Sequence, residues 1–331
     1  MTSIVGIDVG TTTIKISRWL PGAPIGTERV EQTPPTPRAI ASVVERLMTE
    51  ADADVVALSS FRRALVFDDE SLVLARSSPA EPLVTVDGHT SLTDVRNRLA
   101  PIHRWREADG YRNHRRFCTF DVWLAERLTG QPVVAESQAW LTGMWNTSEL
   151  TWDLEVVNRA GVSVADLPEV LTTARIVGGV CLPILGDHEA TAVAAQAASL
   201  WPLRLLECGT AMACMIGTAT SPPDGLGLES PSRCGYLEVI DPFFARRVQT
   251  GSAPPPAWMT GTAPQSAGAV ALSVLLTQGI DTGKISLCGG NATQEVLDAL
   301  LRHGFDATIH DELTSSAGAV LVAEHHLRRS K

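Results

Sequence analysis

Ile4-Val5-Gly6-Ile7-Asp8-Val9-Gly10-Thr11-Thr12-Thr13-Ile14-Lys15-Ile16 is the stretch from which the rest of the chain can be read. Apolar residues lead into an aspartate, a Gly-Thr-Thr turn follows, and alternation resumes through Ile14, Ile16 and Trp19. The pattern predicts a β-hairpin with a polar tip. At that tip Gly10 lets the backbone approach an anion closely, and the threonines add hydroxyl and amide donors. Asp8 ends a buried strand, where a carboxylate can hold a divalent cation directly or through water. Donors for phosphate beside a carboxylate for a metal are what phosphoryl chemistry asks for. An ordinary hairpin with a merely polar tip is the competing reading, and the remaining sequence decides between them.

A chain of 331 residues is long enough for two domains and a sizeable core. Its net charge of −10 disfavours nucleic acid or an anionic membrane surface as partner. No apolar run reaches the length of a membrane span, and Asp8 interrupts the only apolar segment near the N-terminus, so a cytoplasmic protein is expected. The six cysteines (Cys118, Cys181, Cys208, Cys214, Cys234 and Cys288) include no C-x-x-C pair. They are expected to be small buried residues rather than a zinc site or a disulfide framework.

Along the chain, Pro21 to Pro37 reads as a loop entering a helix over Ala39 to Thr49. Val55 to Leu58 reads as a buried strand, and Leu65–Asp68 with Ser71–Ala75 as a second hairpin. Helices are predicted over Ser91–Leu99 and Phe120–Leu128, the latter stopped by Gly130. Trp140, Trp145 and Trp152 are expected in the core. Gly178 to Leu185 is a strand that delivers the chain to Gly186-Asp187-His188-Glu189 and an Ala-rich helix. After Trp201-Pro202 the opening theme returns as Leu205-Leu206-Glu207-Cys208-Gly209-Thr210-Ala211-Met212. Two hairpins with one Gly-Thr tip each predict an internal duplication, its two lobes closing over one polyphosphate. Helices are then expected over Ser266–Gln278, Thr293–His303 and Ser315–Leu327, with a strand over Lys284–Cys288. Strands alternating with helices indicate an α/β protein.

Two further sites carry chemistry. Asp187, just past a strand, can receive a hydroxyl proton, although a helix N-cap explains an aspartate there as well. His188-Glu189 does not complete an H-E-x-x-H zinc motif, because position 192 is Ala192. Gly289-Gly290-Asn291 follows a strand and opens a helix, which lets a planar base lie against the backbone.

Taken in order, these pieces resemble the FGGY family of carbohydrate kinases, within the actin, hexokinase and Hsp70 ATPase superfamily. Gly6 to Thr13 resembles the family's first phosphate motif, with Lys15 where a basic residue usually sits. Asp121-Val122-Trp123-Leu124 with Leu128-Thr129-Gly130 resembles its D-Y-L…L-T-G helix. Ser137, Thr142-Gly143, Trp152-Asp153, Gly161 and Leu167-Pro168 follow its next block. Gly186-Asp187 matches the segment that carries the catalytic base, Cys208 to Ala211 the second phosphate motif, Gly289-Gly290 the adenosine motif, and Ser316 to Ala319 the closing helix. The resemblance spans nearly the whole chain. It implies a two-lobed ribonuclease H-like (actin-like ATPase) fold, with a duplicated βββαβα core and a central nucleotide cleft. The first lobe would span 1–202 and the second 203–331, with the last helix packing back on the first lobe.

The same resemblance implies roles. ATP and Mg²⁺ would be the cofactors, and a sugar, polyol or cyclitol the acceptor, with a homodimer left open. Asp8 and Asp187 would organise Mg²⁺, with Asp187 the base. Gly10, Thr11, Thr12, Thr13, Lys15, Gly209 and Thr210 would cradle the phosphates, and Gly289, Gly290 and Asn291 would flank the nucleoside. The chain also departs from the family. The FGGY signature region is missing between Gly209-Thr210 and Gly289-Gly290. Phe61-Arg62-Arg63-Ala64 replaces the substrate-loop Q-x-x-G, and Val86-Asp87-Gly88-His89 replaces W-x-D-x-R. Arg62, Arg63, Asp87 and His89 are therefore candidate acceptor residues, the arginines as grips for an anionic group. Pairing of one arginine with Asp68 or Asp69 is the competing reading. A regulatory ATPase or pseudokinase sensor using the same cleft is the alternative function, and an actin-like filament protein a third.

Overall fold

The computed structural model describes residues 2–19, 26–62, 64–66, 72–74, 118–209, 212–217, 221, 223–234, 236–241, 271, 275, 280 and 283–329. The helix expected over Ser91–Leu99 lies outside these residues, as does most of the one expected over Ser266–Gln278. The first half contains β1 (Ile4–Val9), β2 (Thr13–Trp19), β3 (Gly26–Gln32), α1 (Pro37–Ala51), β4 (Val55–Ser60), β5 (Ala64–Val66) and β6 (Leu72–Leu74). It continues with α2 (Phe120–Thr129), β7 (Val133–Ala135), α3 (Glu136–Leu141), β8 (Trp145–Asn146), β9 (Thr151–Trp152), α4 (Leu154–Ala160), β10 (Glu169–Leu171), β11 (Arg175–Val177), β12 (Val180–Gly186) and α5 (Asp187–Ala197). The second half contains β13 (Arg204–Cys208), β14 (Met212–Gly217), α6 (Pro231–Cys234), β15 (Tyr236–Asp241), β16 (Gly283–Cys288), α7 (Gln294–Arg302), β17 (Phe305–Ile309) and α8 (Ser315–Arg329).

The two main sheets repeat one design. The first runs β11-β12-β4-β1-β2-β3 and the second β15-β14-β13-β16-β17. In each, three antiparallel strands form a meander whose first member then pairs in parallel with a later strand, and that strand with another. A β-meander followed by parallel crossovers, twice over, is the duplicated core expected from the two Gly-Thr hairpins. β1 is apolar on both faces because it lies at the centre of its sheet and is buried throughout.

The helices obey local rules. α1 starts at Thr36, whose Oγ1 accepts from the Ala39 amide, with Pro37 in the first turn. Its buried face (Ile40, Ala41, Val44, Leu47) packs on the first sheet. α2 stops at Gly130, φ 73°. Trp140 and Trp145 are buried and Trp152 packs beside them, as expected. All six cysteines are buried and free, which also matches expectation.

One expectation is corrected. The Pro21–Pro37 stretch contains a seven-residue strand, β3, hydrogen-bonded to β2 with a bulge between Ile16 and Ser17. As an edge strand β3 needs no continuous apolar face. Arg29 and Glu31 pair along it, and Val30 is exposed.

The core does not stop between the sheets. A single apolar cluster takes in Ile4, Val55 and Leu185 of the first sheet, Ala190 to Ala195 of α5, Leu205 and Met215 of the second sheet, and Ala317 to Ala323 of α8. The last helix therefore lies against the first half of the chain. Gly6 of β1 faces it so closely that an added Cβ would sit 2.2 Å from the Ser316 carbonyl oxygen. The Ser17 and Ser316 hydroxyls meet at 2.7 Å in the same seam.

Asp121, in the first turn of α2, is a buried acid whose Oδ2 has no hydrogen-bond partner. Burial pushes its carboxyl from 3.8 up to about 6. A raised carboxylate penalises the fold while it is charged, so the penalty is full above about pH 6 and fades as pH falls towards 4. Asp121→Asn should therefore stabilise the protein at pH 8 by about 1–3 kcal/mol. Urea denaturation at pH 8 and pH 4.5 should show the gain shrinking at the lower pH. An equal gain at both would contradict this origin.

Candidate active site

The junction of the two halves gathers the polar residues singled out in the sequence. Asp8 ends β1 beside Ser59 of β4, its register partner, and the Ser59 hydroxyl donates to Asp8 Oδ1 at 2.8 Å. Asp8 is only 6% exposed. Burial first, then the charge of Asp187, raises its carboxyl from 3.8 to about 7, against the pull of Lys15 across the hairpin and of Ser59. Glu207 of β13, in the other sheet, also acts on Asp8. Asp8, Asp187 and Glu207 thus lie within one another's electrostatic reach, although they come from three separate elements.

Glu207 had not been singled out. Burial raises its carboxyl, Asp187 adds to the rise, and His188 and Arg62 oppose it. Its Oε2 is out of contact with solvent and has no hydrogen-bond partner. A signal was present in the duplication, since Asp8 stands two residues before Gly10 and Glu207 two before Gly209.

The first turn is closed by the Gly10 amide donating to the Thr13 carbonyl at 2.9 Å, and Thr33 Oγ1 donates to the Gly10 carbonyl at 2.7 Å. Thr11 and Thr12 are exposed at the tip, and Gly10 and Thr13 are half-buried. In the second half, Asn291 ties two turns together. Its amide nitrogen donates to the Cys208 carbonyl at 2.8 Å and its Nδ2 to the Gly209 carbonyl at 2.7 Å. Gly289 adopts φ 91°, and a Cβ there would meet the Cys208 oxygen at 2.7 Å. Gly290 faces open space. A flat group could lie there, while Asn291 serves to hold the turn. Lys15 also acts on the Cys288 thiol, so the first hairpin reaches towards the end of β16. Thr210, Arg63, Asp87 and His89 lie outside the described residues.

Asp187 is the first residue of α5, and Gly186 occupies the N-cap position. The aspartate is therefore not the cap. Its Oδ1 accepts from the His188 amide at 3.0 Å and pairs with Arg62 Nε at 3.3 Å. Asp68 and Asp69, the partners that the competing reading offers, lie outside the described residues. Arg62 turns inward, with its side chain 4% exposed, and Nη1 donates to Glu189 Oε1 at 2.6 Å. Nη2 meets His188 Nδ1. Glu189 is fully buried and also accepts from Gln138 Nε2 at 3.1 Å. Gly186 explains itself here, because a Cβ would sit 2.1 Å from both Gln138 Nε2 and Glu189 Oε2. Gly186→Ala should displace this cluster and lower stability by about 1–3 kcal/mol. Thermal denaturation checks it, and an unchanged midpoint would mean the cluster yields without strain.

A divalent cation can be tested against these residues. Burial, and after it the charge of Asp187, lifts Asp8 far from its usual range, a penalty on the charged carboxylate that a nearby cation relieves. Among the described residues no group of three or more His, Cys, Asp or Glu is placed to hold a metal. Mg²⁺ bound beside phosphate commonly takes only one or two carboxylates, so the pair fits that habit.

The paired β-meander sheets, with acids at their facing ends, define the actin-like ATPase fold. Known proteins agree. Residues 103–187 match the model of the FGGY family of carbohydrate kinases, N-terminal domain. Glycerol kinase of Clostridium botulinum (strain Eklund 17B / Type B) is 36% identical over 80 residues, 21% of this chain and 16% of that protein. Glycerol kinase of Symbiobacterium thermophilum is 31% identical over 112 residues, 31% of this chain and 22% of that protein. Each match thus spans under a quarter of the relative's length. Among solved structures, ligand-bound xylulose kinase from Lactobacillus acidophilus superposes with a TM-score of 0.64 at 15% identity, covering 99% of this chain and 90% of that one. Plasmodium falciparum glycerol kinase with ADP gives 0.64 at 12% identity, with 99% and 90% covered. The segment 103–187 is thus similar in sequence to the FGGY family, and the fold across the chain is that of these carbohydrate kinases.

Proposed function

We propose that the protein is an ATP-dependent small-molecule kinase that transfers the γ-phosphate of ATP to a hydroxyl of a sugar, polyol or cyclitol. The observation that carries this reading is the convergence of Asp8, Asp187 and Glu207 at the junction of the two sheets. In it, the backbone donors of the Gly10 and Gly209 turns hold the phosphates, and Gly289-Gly290 leaves room for the nucleoside. Asp187 accepts the acceptor's hydroxyl proton as the oxygen attacks phosphorus, and so also fixes that oxygen in line. Asp8 and Asp187 would hold Mg²⁺, which when bound neutralises phosphate charge. The first and last parts of the cleft come from different lobes, so closure excludes water and favours transfer over hydrolysis. Among the described residues no helix is long and apolar enough to cross a membrane, and we place the enzyme in the cytoplasm.

A coupled ADP-release assay over a panel of sugars, polyols and cyclitols tests the proposal. Release that depends on one class of acceptor is the expected result. Acceptor-independent turnover would instead identify a regulatory ATPase, and ATP binding without turnover a sensor.

A further inference from the structure

We propose that Arg62, Glu189 and Gln138 form a device that positions Asp187, and that Arg62 is therefore a positioning residue rather than a ligand for the acceptor. The inference rests on the kinase reading for its catalytic consequence, but its structural part stands without it. Arg62 follows β4 by two residues, next to the β12–α5 junction, because Ser60 and Gly186 are register partners. From there its guanidinium spans the first turn of α5. Nε faces Asp187, Nη1 donates to Glu189 and Nη2 meets His188 Nδ1.

The far end of the device is as well defined as the near end. Glu189 has no solvent exposure, and a buried carboxylate needs compensating partners. Arg62 satisfies one oxygen and Gln138, from α3, the other. Gly186 leaves the room in which Gln138, Glu189 and the Arg62 stem converge. With its side chain 4% exposed and its fork engaged on three consecutive residues, Arg62 holds the α5 turn in one orientation. The carboxylate of Asp187 is thereby aimed by a cation that is itself held from behind. A lysine cannot replace this planar fork.

The experiment uses Arg62→Met, Arg62→Lys, Glu189→Gln and the Arg62→Met/Glu189→Gln pair in the full chain, with kcat and acceptor KM measured per folded protein on an acceptor from the panel. Misaiming the base should lower kcat about 100-fold in Arg62→Met with acceptor KM little changed. Arg62→Lys should not restore it. Glu189→Gln should lower kcat alone yet add nothing in the Arg62→Met background, since both act through one route. A raised KM with kcat preserved would make Arg62 an acceptor ligand and overturn the proposal. So would independent, multiplying losses. If the wild-type protein uses no acceptor, the kinase reading falls, and thermal denaturation decides the structural part. Asp187→Asn and Glu189→Gln should then lower the melting temperature together by more than the sum of their single effects, because the double variant strips both carboxylates from a buried cation. That excess should vanish when position 62 is Met. Additive shifts in both backgrounds would overturn the device.

Discussion

Asp187→Asn should abolish acceptor phosphorylation while leaving nucleotide binding intact, a fall of about 100-fold to 10,000-fold in kcat or more for the loss of a general base. The substitution is nearly isosteric. Asparagine can keep its Oδ1 as acceptor for the His188 amide, and the helix still begins after Gly186. Arg62 keeps Glu189 and His188 as partners, so the fold should survive. What disappears is a carboxylate able to take a proton. Calorimetric titration with ADP should give an affinity close to that of the unaltered protein, while coupled ADP release with acceptor falls to background. A variant that keeps transfer within tenfold of the original would move the base elsewhere.

Gly318→Ala should unsettle the whole junction, although helix propensity alone gives the opposite sign. Alanine is better than glycine inside a helix by about 1 kcal/mol. Yet a Cβ at 318 would lie 1.7 Å from the Ala190 carbonyl oxygen and 2.4 Å from its carbon. These are backbone atoms of α5, so no side chain can swing aside. α8 and α5 must separate, against a packed core that joins both sheets through them. The expected loss is about 3 kcal/mol, the upper range for overpacking. Ala190 follows Asp187 by one turn, so the displacement should reach the base and reduce kcat as well. Urea denaturation and kcat on the same preparation test both parts. A stabilised variant would mean that propensity outweighs the crossing.

Much of this arrangement was legible from residue order alone. The Asp8 hairpin and its echo at Gly209 predicted two hairpins of one design, and the Gly186-Asp187 step placed a carboxylate at a strand-to-helix junction. Local chemistry sufficed there, because turns and caps depend on near neighbours. β3 was missed because an edge strand carries little hydrophobic alternation, and the prolines and glycines around it read as loop. The partners of Arg62 in α5 were illegible for a different reason. Asp187 and Glu189 are far away in sequence and become its neighbours only once β4 and β12 pair in parallel. Glu207 was hidden by its strand, although its place in the repeat matches that of Asp8. The Asn291 side chain also braces the Gly209 turn, a contact that joins residues 82 apart and so left no local signal.

A crystal structure with Mg²⁺ and a non-hydrolysable ATP analogue addresses the central claim most directly. The account predicts a phosphate tail between the turns at Gly10 and Gly209, the nucleoside over Gly290, and Asp187 facing the terminal phosphate across the space for a hydroxyl. A nucleotide bound away from these turns, or with its terminal phosphate out of reach of Asp187, would contradict it.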